Sequence, residues 1–529
     1  NVHAGHDDVM GVADAGWAVL FARDAQEVGD LALIARRAAE ASSTPFLVCQ
    51  DGFLTTHTIE NVRHPEPELM REFVGEPATK LVNMMDPRNP LMSGVVQNQD
   101  AYMKGKVAQR AFHARVRPAL DEAFALFAAQ TGRSYGVLAT HRMEDAEYAF
   151  VGIGCFMETA AVTADWLRRE RGMKIGVVAV TCFQPFPGAE LVAALRGVRA
   201  CAVLERMDDG MAPDNPLALR VKAAFADAMT GRSGMPVITK IPRILPGVGG
   251  LGSRDVRPGD WIGIAEELSL GNREFFSVGI QHETAVAGSV DPDLRPTGAF
   301  SMRGHSVGGY GSVTTNKVIA TLAADIFDLQ VQAYPKYGSE KKGLPTTYYL
   351  TVAEAPIRNH SELHHVDFIP MNDVNAFNLG NPLAGLDQGG AVFVQSHLED
   401  PEAVWASIPK WARRELLGKQ ARLFYMDTVA VARELATDAD LAQRMQGIVL
   451  LGIFLRVTPF LERRHIEQEQ LMSGVEKSLR KYFGKRGERV VQDNLECVRR
   501  GFQGVREAPR EVMVAQAAAT GALEQGGAR

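Results

Sequence analysis

A glycine-rich segment carries the densest group of residues suited to binding an anion. It runs from Arg303 to Ser312 and leads into a helical pattern that extends to Asp325. Glycine lets the backbone approach an anion closely, and the first turn of a helix presents free N–H groups to it. The segment lacks the Gly-Lys-Ser/Thr ending of a P-loop and the strict spacing of a dinucleotide-binding fingerprint. Phosphate binding and a purely structural tight turn therefore both remain open.

Two adjacent lysines follow in the same part of the chain. Lys341 and Lys342 lie in a polar segment beyond a predicted strand near Gln330 to Tyr334. Lysine side chains close to a glycine-rich loop would suit a phosphorylated ligand. The alternative interpretation is an ordinary solvated loop.

A third candidate is the run of His6, Asp7 and Asp8 near the amino end. These residue types bind metals or act as acid/base pairs, but three consecutive side chains rarely point the same way. The pair His364 and His365 is no stronger as a candidate. We therefore predict no isolated metal site. The sequence also has no Ser/His/Asp signature and no Gly-Asp-Gly followed by paired asparagines, the usual diphosphate–magnesium motif.

The elements that must position these residues begin with a segment that we place at residues 1–135. Asp24 and Glu27 have the spacing of a helix capping box, and helical periodicity follows them. Phe46 to Cys49 reads as a buried strand that ends in a polar loop beginning near Asp51. In open α/β sheets, ligands gather beyond the carboxyl ends of the strands.

The second segment, residues 136–275, alternates strands with helices. The predicted strands cover 149–153, 175–180, 200–204 and 237–241, and the predicted helices cover 159–171, 189–195 and 217–229. This order implies a parallel sheet with right-handed crossovers. Pro246 to Gly252 is predicted to be a loop and a candidate boundary.

The third segment, residues 276–507, alternates again, and residues 508–529 are predicted to form a flexible tail. Its predicted strands lie near 330–334, 348–352, 366–370, 391–395 and 422–426. The patterns together predict an α/β protein of three consecutive domains with mainly parallel sheets.

Composition narrows the class of protein. The chain has 57 Lys and Arg against 63 Asp and Glu, a formal net charge of −6, which disfavours nucleic acid as a partner. No apolar stretch approaches the ~20 residues of a membrane span, and the polar amino end is not a signal peptide. Its five cysteines are scattered without a CxxC pair, so we expect reduced thiols in a cytoplasm and no iron–sulfur cluster held by this chain alone.

An ordered set of short segments resembles the pyruvate:ferredoxin (flavodoxin) oxidoreductase family. The resemblance extends from about residue 5 to about residue 505. The segments are Asp51–His57, Gln97–Tyr102, Thr131–Tyr135, Phe183–Phe186, Val203–Arg206, Pro213–Leu217, Gly249–Ser253, the glycine-rich segment, Tyr337–Lys342 and Tyr482–Glu488.

The resemblance implies a thiamine diphosphate enzyme that cleaves a 2-oxoacid with coenzyme A. The products are acyl-CoA, CO2 and low-potential electrons, which 4Fe-4S clusters pass to ferredoxin or flavodoxin. The chain looks like three modules: the later part of a pyrimidine-binding domain, a transketolase C-terminal-like domain and a gamma domain that contacts coenzyme A. We expect a beta-type partner subunit or domain to carry the clusters and the diphosphate site with its Mg, and we expect a homo- or hetero-oligomer. The chain alone is expected to be inactive.

The resemblance also assigns residues. It places Gly308, Gly309, Gly311 and Ser312 at the coenzyme A loop, with Lys341 beside it. It makes His6, Asp7, Asp8 and Ala13 part of a substrate loop, in which pyruvate enzymes carry an arginine where this chain has Ala13. A missing guanidinium removes a charge-assisted contact of roughly 1.5–3 kcal/mol with the substrate carboxylate, so a 2-oxoacid other than pyruvate would also fit as the substrate. The catalytic residues are not assigned.

Two other interpretations are compatible with these patterns. One is a non-catalytic paralogue that acts as a scaffold and has lost substrate chemistry at Ala13. The other is a coenzyme A-binding module unconnected to oxidoreduction, which would explain the glycine-rich segment but not the first two modules.

Overall fold

The computed structural model describes residues 3–307, 312–336, 345–436 and 439–519. Helix and strand bounds in the first part of the chain are α1 (Asp7–Met10), β1 (Ala18–Phe21), α2 (Ala25–Ser42), β2 (Phe46–Cys49), β3 (Ile59–Glu60), α3 (Pro67–Val74) and α4 (Gln99–Thr131).

The middle of the chain alternates strands and helices. Its elements are β4 (Leu138–His141), β5 (Tyr148–Gly152), α5 (Phe156–Arg171), β6 (Ile175–Val180), β7 (Cys182–Gln184), α6 (Gly188–Leu195), β8 (Ala200–Glu205), α7 (Pro216–Met229), β9 (Arg243–Val248), α8 (Pro258–Leu270) and β10 (Phe276–Ser277).

The last part is richer in helices. Its elements are β11 (Phe300–Val307), α9 (Ser312–Phe327), β12 (Gln330–Lys336), β13 (Pro345–Ala353), β14 (Val366–Met371), α10 (Ala376–Leu379), β15 (Leu386–Gln395), α11 (Pro401–Ser407), α12 (Lys410–Gly418), β16 (Arg422–Met426), α13 (Thr428–Leu435), α14 (Ala439–Val457), α15 (Phe460–Arg464), α16 (Gln468–Phe483), α17 (Glu488–Gly504), β17 (Arg506–Glu507) and α18 (Arg510–Ala519).

Two compact units contain these elements. Unit 1 comprises Asn1–Thr56, Val62–Leu294 and Arg358–Ser361, and unit 2 comprises His57–Asn61, Arg295–Ile357 and Glu362–Arg529. Each unit therefore includes one short segment that the chain contributes from far away in sequence. The domain boundaries drawn from the sequence, near residues 135, 275 and 507, stay predictions.

Unit 1 contains two sheets. The smaller has the order β2-β1-β7, with β1 parallel to β2 and antiparallel to β7. The larger has the order β10-β9-β8-β5-β6-β4 and is parallel except for its edge strand β4. Strands β8, β5 and β6 at its centre are almost wholly buried, as expected for a sheet covered by helices on both faces. This confirms the predicted α/β class with parallel-rich sheets.

Unit 2 is built on a mixed sheet in the order β17-β16-β15-β14-β11-β13-β12-β3. Strands β16, β15, β14 and β11 are parallel neighbours, whereas β13, β12 and the short strand β3 extend the sheet in antiparallel fashion. Helices α9, α14, α16 and α17 supply much of the apolar core on one face.

Three local predictions need correction. The strand expected at 237–241 instead occupies Arg243–Val248, so Pro246 to Val248 belong to a strand and not to a boundary loop. Val237, in the predicted strand, is 90 % exposed, whereas Leu245, in the observed strand, is buried in the sheet. Part of the predicted flexible tail, Arg510–Ala519, is helical, and Met513 packs into an apolar cluster.

The predicted helix start at Asp24 is confirmed. The Asp24 side chain accepts a hydrogen bond from the backbone N–H of Glu27 at 2.7 Å, which satisfies one of the donors that a helix leaves free at its start. The Glu27 carboxylate accepts a hydrogen bond at 2.8 Å from the backbone N–H of Arg23, the residue before the cap. The first of these bonds marks where α2 begins.

Candidate functional site

The carboxyl ends of several unit 1 strands meet at a buried charged cluster, which we call the Asp51 cluster: His6, Asp51, Cys155, Arg206 and Gly250. Asp51 lies just beyond β2, Arg206 just beyond β8, and Cys155 precedes α5. Asp51 and Arg206 are only 2 % and 1 % exposed. This is the edge of an α/β sheet at which ligands usually bind.

Asp51 has three partners in the cluster. Its Oδ1 lies 2.9 Å from His6 Nε2 and 3.2 Å from Arg206 Nε, and its Oδ2 accepts the backbone N–H of Cys155 at 2.7 Å. Burial opposes ionisation, but the Arg206 guanidinium and the His6 hydrogen bond hold the pKa of Asp51 well below its usual range. The carboxylate is therefore charged and fixed in position.

Arg206 ties the cluster to the next strand and to α5. Its guanidinium donates to the carbonyl of Gly250 at 2.9 Å and lies 4.6 Å from the centroid of the Phe156 ring. Gly154 and Gly250 both have positive φ, and a Cβ at either position would meet Asp51 Oδ2 at 2.3 Å or Arg206 Nη1 at 2.6 Å. Glycine is thus required at both places.

A second ionic group lies one helical turn away. The buried carboxylate of Glu158 on α5 accepts hydrogen bonds from Arg23 Nη1 and Arg358 Nε, each at 2.6 Å. Arg358 belongs to the short segment that unit 1 takes from the distal chain. Burial opposes ionisation of Glu158, but the two guanidinium groups lower its pKa.

The predicted substrate-loop residues do not converge. His6 is buried and faces Asp51, whereas Asp7 and Asp8 are exposed on the one-turn helix α1. Ala13 is 4 % exposed in an apolar cluster that includes Val19. That His6, Asp7 and Asp8 form no metal site of their own stays a prediction.

The predicted coenzyme A loop lies mostly outside the described residues: this applies to Gly308, Gly309, Gly311 and Lys341. Ser312 is described as the first residue of α9. The described strand β11 ends at Val307 and helix α9 begins at Ser312, so residues 308–311 lie in sequence between a strand and a helix start, the order in which helix N-termini bind anions.

Four buried polar atoms in unit 2 have no hydrogen-bond partner among the described residues. They are His305 Nε2 near the end of β11, Asn372 Oδ1 just beyond the parallel strand β14, Asn316 Oδ1 on α9 and Tyr348 Oη on β13. Burial, with the nearby Arg303 charge, lowers the pKa of His305 to about 4, so its imidazole is neutral at physiological pH. Buried polar groups normally have hydrogen-bond partners, so these atoms suit a polar ligand.

The five cysteines are buried or half-buried. Cys155, Cys182, Cys201 and Cys497 are buried, Cys49 is half-buried, and all five are free thiols. Burial raises the pKa of Cys182 and of Cys201 to about 12. That this chain alone holds no iron–sulfur cluster stays a prediction, drawn from the scattered positions of its cysteines.

Sequence reasoning did not find the Asp51–Arg206 pair. Both residues lie in quoted segments, but 155 residues separate them, and only their shared position at strand ends could have suggested contact. The sequence also showed no sign of the partner of the Thr131–Tyr135 segment. Asp30, fully buried on α2, accepts hydrogen bonds from Arg133 Nε and from the Tyr135 hydroxyl, both at 2.6 Å.

Models of one family match consecutive parts of the chain. Residues 1–124 match "Pyruvate flavodoxin/ferredoxin oxidoreductase, thiamine diP-bdg", residues 146–258 match "Pyruvate:ferredoxin oxidoreductase core domain II", and residues 301–504 match "Pyruvate ferredoxin/flavodoxin oxidoreductase". The chain belongs to the pyruvate:ferredoxin (flavodoxin) oxidoreductase family. Its amino-terminal part accordingly matches a thiamine diphosphate-binding domain.

Relatives match almost the whole chain. A pyruvate-flavodoxin oxidoreductase from Rhodospirillum rubrum is 28 % identical over 505 residues, covering 94 % of this chain and 41 % of the relative. The pyruvate:ferredoxin oxidoreductase of Moorella thermoacetica is 26 % identical over 514 residues, covering 96 % and 42 %. The chain thus spans about two fifths of the length of these relatives.

Solved structures also resemble part of the chain. A pyruvate oxidoreductase subunit from Thermotoga maritima covers 40 % of this chain and 99 % of its own, with 20 % identity and a TM-score of 0.31. The gamma subunit of a keto/oxoacid ferredoxin oxidoreductase from Geobacter sulfurreducens covers 39 % of this chain and 96 % of its own, with 18 % identity and a TM-score of 0.29.

None of the described helices is long and apolar enough to cross a membrane.

Proposed function

We propose that this chain is part of a cytoplasmic 2-oxoacid:acceptor oxidoreductase. The complete enzyme would oxidatively decarboxylate a 2-oxoacid with coenzyme A to acyl-CoA and CO2, and deliver low-potential electrons to ferredoxin or flavodoxin. The observation that carries this proposal is the ordered match of three models of one family over residues 1–124, 146–258 and 301–504. A coenzyme A-binding module alone would account only for the last of them.

In this proposal the chain contributes two binding surfaces. Unit 1 supplies one wall of the thiamine diphosphate site, and its Asp51 cluster holds the strand ends in register around that wall. A partner subunit or domain would supply the 4Fe-4S clusters and the diphosphate site with its Mg, because this sequence has neither a CxxC pair nor the usual diphosphate–magnesium motif. When bound, thiamine diphosphate would supply the carbanion that 2-oxoacid decarboxylation needs.

Unit 2 would bind coenzyme A where β11 leads into α9. Gly308, Gly309, Gly311 and Ser312 would offer backbone N–H groups to its phosphates, and Lys341 would add a mobile positive charge. The unpartnered atoms of His305 and Asn372 lie at the ends of the neighbouring strands β11 and β14. They would donate to or accept from polar groups of the ligand.

The test of the whole proposal uses the native complex, purified with the subunits that accompany this chain. We expect viologen reduction that depends on both a 2-oxoacid and coenzyme A. A complex that binds coenzyme A but never reduces viologen with any 2-oxoacid would contradict the proposed activity.

The coenzyme A site is tested separately by calorimetric titration. Lys341→Ala should weaken coenzyme A binding by roughly 1–3 kcal/mol, the range for a charged hydrogen bond. Lys410→Ala, at an exposed lysine in the same unit, is the matched control and should leave affinity unchanged. Viologen reduction by 2-oxoacid in the absence of coenzyme A should survive Lys341→Ala. Loss of that step with unchanged affinity would refute the site.

A further inference from the structure

Arg220 is a largely buried cation that lacks a hydrogen-bonded counter-ion. It lies in the second turn of α7, and its side chain is 27 % exposed. No described residue accepts a hydrogen bond from its guanidinium, and its ion-pair partner, Asp14 Oδ1, is 3.5 Å from Nη2. That distance exceeds the about 2.7–3.2 Å of an N–H···O hydrogen bond. The donors of this guanidinium are therefore available to a ligand.

Two other arginines of unit 1 show what a guanidinium this buried normally has as a partner. Arg23 and Arg133 are 21 % and 19 % exposed, and each donates to a buried carboxylate at 2.6 Å. Such bonds offset the cost of taking a charge out of water. At Arg220, burial lowers the pKa of the guanidinium, and the Asp14 charge offsets this only in part. Arg220 thus has less electrostatic compensation than the other two arginines.

The surroundings of Arg220 suit a planar anion. Its guanidinium carbon lies over the ring of Phe183, 4.5 Å from the ring centroid, and Phe183 is fully buried. Stacking on an aromatic face fixes the plane of a guanidinium and leaves the N–H donors at its edge free. Two parallel N–H donors match the two oxygens of a carboxylate. The arrangement is therefore preorganised for a carboxylate ligand.

Asp14 already holds a carboxylate near this guanidinium, but only weakly. It lies in the single 3-10 turn Ala13–Ala15, and its own side chain is 97 % exposed. Ala13, the first residue of the turn, packs in the same apolar cluster as Phe183. An ion pair with so exposed a partner contributes only about 0–1 kcal/mol. A ligand carboxylate that forms hydrogen bonds with Arg220 can therefore displace Asp14 at little cost.

The position of Arg220 is the ligand-binding edge of unit 1. Helix α7 begins beyond the carboxyl end of β8, and its first turn donates two backbone N–H bonds to the last residue of that strand. The segment that carries Asp14 starts in the Asp51 cluster, where the N–H of His6 donates to the carbonyl of Arg206 at 2.9 Å. This segment thus connects the Asp51 cluster to Arg220. Ligands of open α/β sheets bind beyond the carboxyl ends of the strands.

We propose that Arg220 binds the carboxylate of the 2-oxoacid, and that Asp14 lies against the guanidinium until the substrate displaces it. The identity of the substrate rests on the proposed function, whereas the carboxylate chemistry follows from the geometry of Arg220, Phe183 and Asp14. Binding replaces a long ion pair with two parallel charge-assisted hydrogen bonds. Arg220 therefore supplies substrate affinity and selects for molecules that carry a carboxylate.

Steady-state viologen reduction by the native complex tests the assignment with two substitutions of opposite expected effect. Arg220→Gln should raise the KM for the 2-oxoacid roughly 10- to 100-fold, or about 1.4–2.8 kcal/mol, with little change in kcat. Asp14→Asn should lower this KM by up to about fivefold, because it removes a weak competitor. A purely structural pair would shift KM in the same direction in both variants. Arg196→Gln, at an exposed arginine of the same unit, is the matched control and should change neither constant.

Arginine labelling gives a readout that does not depend on turnover. Phenylglyoxal modifies accessible arginines, and peptide mass spectrometry of the labelled native complex measures the modified fraction at each position. Oxamate, a carboxylate with the shape of pyruvate, should reduce labelling of Arg220 several-fold and leave that of Arg196 unchanged. Oxamide, its neutral analogue, should protect neither residue. This experiment uses the unsubstituted protein, so it decides the question even if a variant does not fold.

The outcomes separate this assignment from the proposed function. An unchanged KM in Arg220→Gln at an unchanged melting temperature would overturn the carboxylate site. Shifts of KM in the same direction in both variants, or labelling of Arg220 that oxamate does not reduce, would overturn it as well. Protection by oxamate in a complex that never reduces viologen would support the carboxylate site and contradict the proposed activity.

Discussion

Replacing Asp51 by Asn should destabilise unit 1 strongly without affecting unit 2. The carboxylate neutralises Arg206 in a site where both side chains are almost fully buried. Asn keeps the shape but removes the charge, and its NH2 group would face a donor, either Arg206 Nε or the Cys155 N–H. Removing one partner of a buried ion pair costs about 3–5 kcal/mol, a large part of the 5–15 kcal/mol that stabilises a typical domain.

Hydrogen exchange in urea, read by mass spectrometry, measures the two units separately. Peptides from β5 and β8 should lose protection at lower urea in Asp51→Asn, while peptides from β14 and β15 should not change. Asp208→Asn, at an exposed aspartate two residues beyond Arg206, is the matched control and should shift nothing. The pKa of Asp51 is lowered, so its stabilisation is present above the unfolded pKa of about 3.9 and lost below it.

A double-mutant cycle decides whether the ion pair is the cause. Arg206→Met alone leaves Asp51 buried and partly unpaired, whereas Asp51→Asn/Arg206→Met removes both charges. The double variant should be less destabilised than the sum of the two single variants by at least about 1 kcal/mol. Strict additivity, or equal loss of protection in unit 2, would refute the reasoning.

Three further predictions concern Glu205, Ala13 and the isolated chain. Burial, partly offset by two backbone N–H bonds from the start of α7, raises the pKa of Glu205 to about 7. The free energy of unfolding should therefore fall by up to about 3 kcal/mol as the pH rises from 4.5 to 7. Urea titrations measure this fall, which should be absent in Glu205→Gln and present in the control Glu274→Gln, at an exposed glutamate. Ala13 is buried in an apolar cluster, so the kinetics of Ala13→Arg are compared only in a complex whose melting temperature the substitution leaves unchanged. In such a complex, Ala13→Arg should shift kcat/KM toward pyruvate, by about tenfold per 1.4 kcal/mol gained, whereas Ala15→Arg, at a neighbouring exposed alanine, should not. An unchanged ratio would count against the role given to Ala13. The purified chain without partners should release no CO2 from 14C-labelled 2-oxoacids, and measurable release would contradict the shared-site proposal.

The parts of the fold that follow from local sequence patterns were predictable. The helix cap at Asp24 and the alternating strands and helices of residues 138–277 depend on short-range sequence patterns, which the sequence displays directly. Strand β9 was misplaced because both Val237 and Ile244 belong to short apolar runs, and only burial in the sheet distinguishes them.

The candidate site was less predictable because its contacts are long-range. Nothing near Asp51 in sequence indicates that its partner is Arg206 or that Gly154 must lack a Cβ to admit its carboxylate. The family resemblance includes the segments that contain Asp51 and Arg206, but only the structure shows that the two side chains form an ion pair. For the same reason, the mixed sheet of unit 2, with its antiparallel strands β13 and β12, was not apparent from the order of its strands.

The short strand β3 imposes an order of events during synthesis. Asn61, at its end, exchanges hydrogen bonds with the backbone of Leu329 and Val331, 268 and 270 residues further along the chain. At about 5–20 residues per second, a ribosome needs roughly 15–50 s to reach those partners. Residues 57–61 belong to unit 2 and must therefore wait outside any finished sheet while most of unit 1 is made. This edge of unit 2 can close only after most of the nascent chain has left the ribosome.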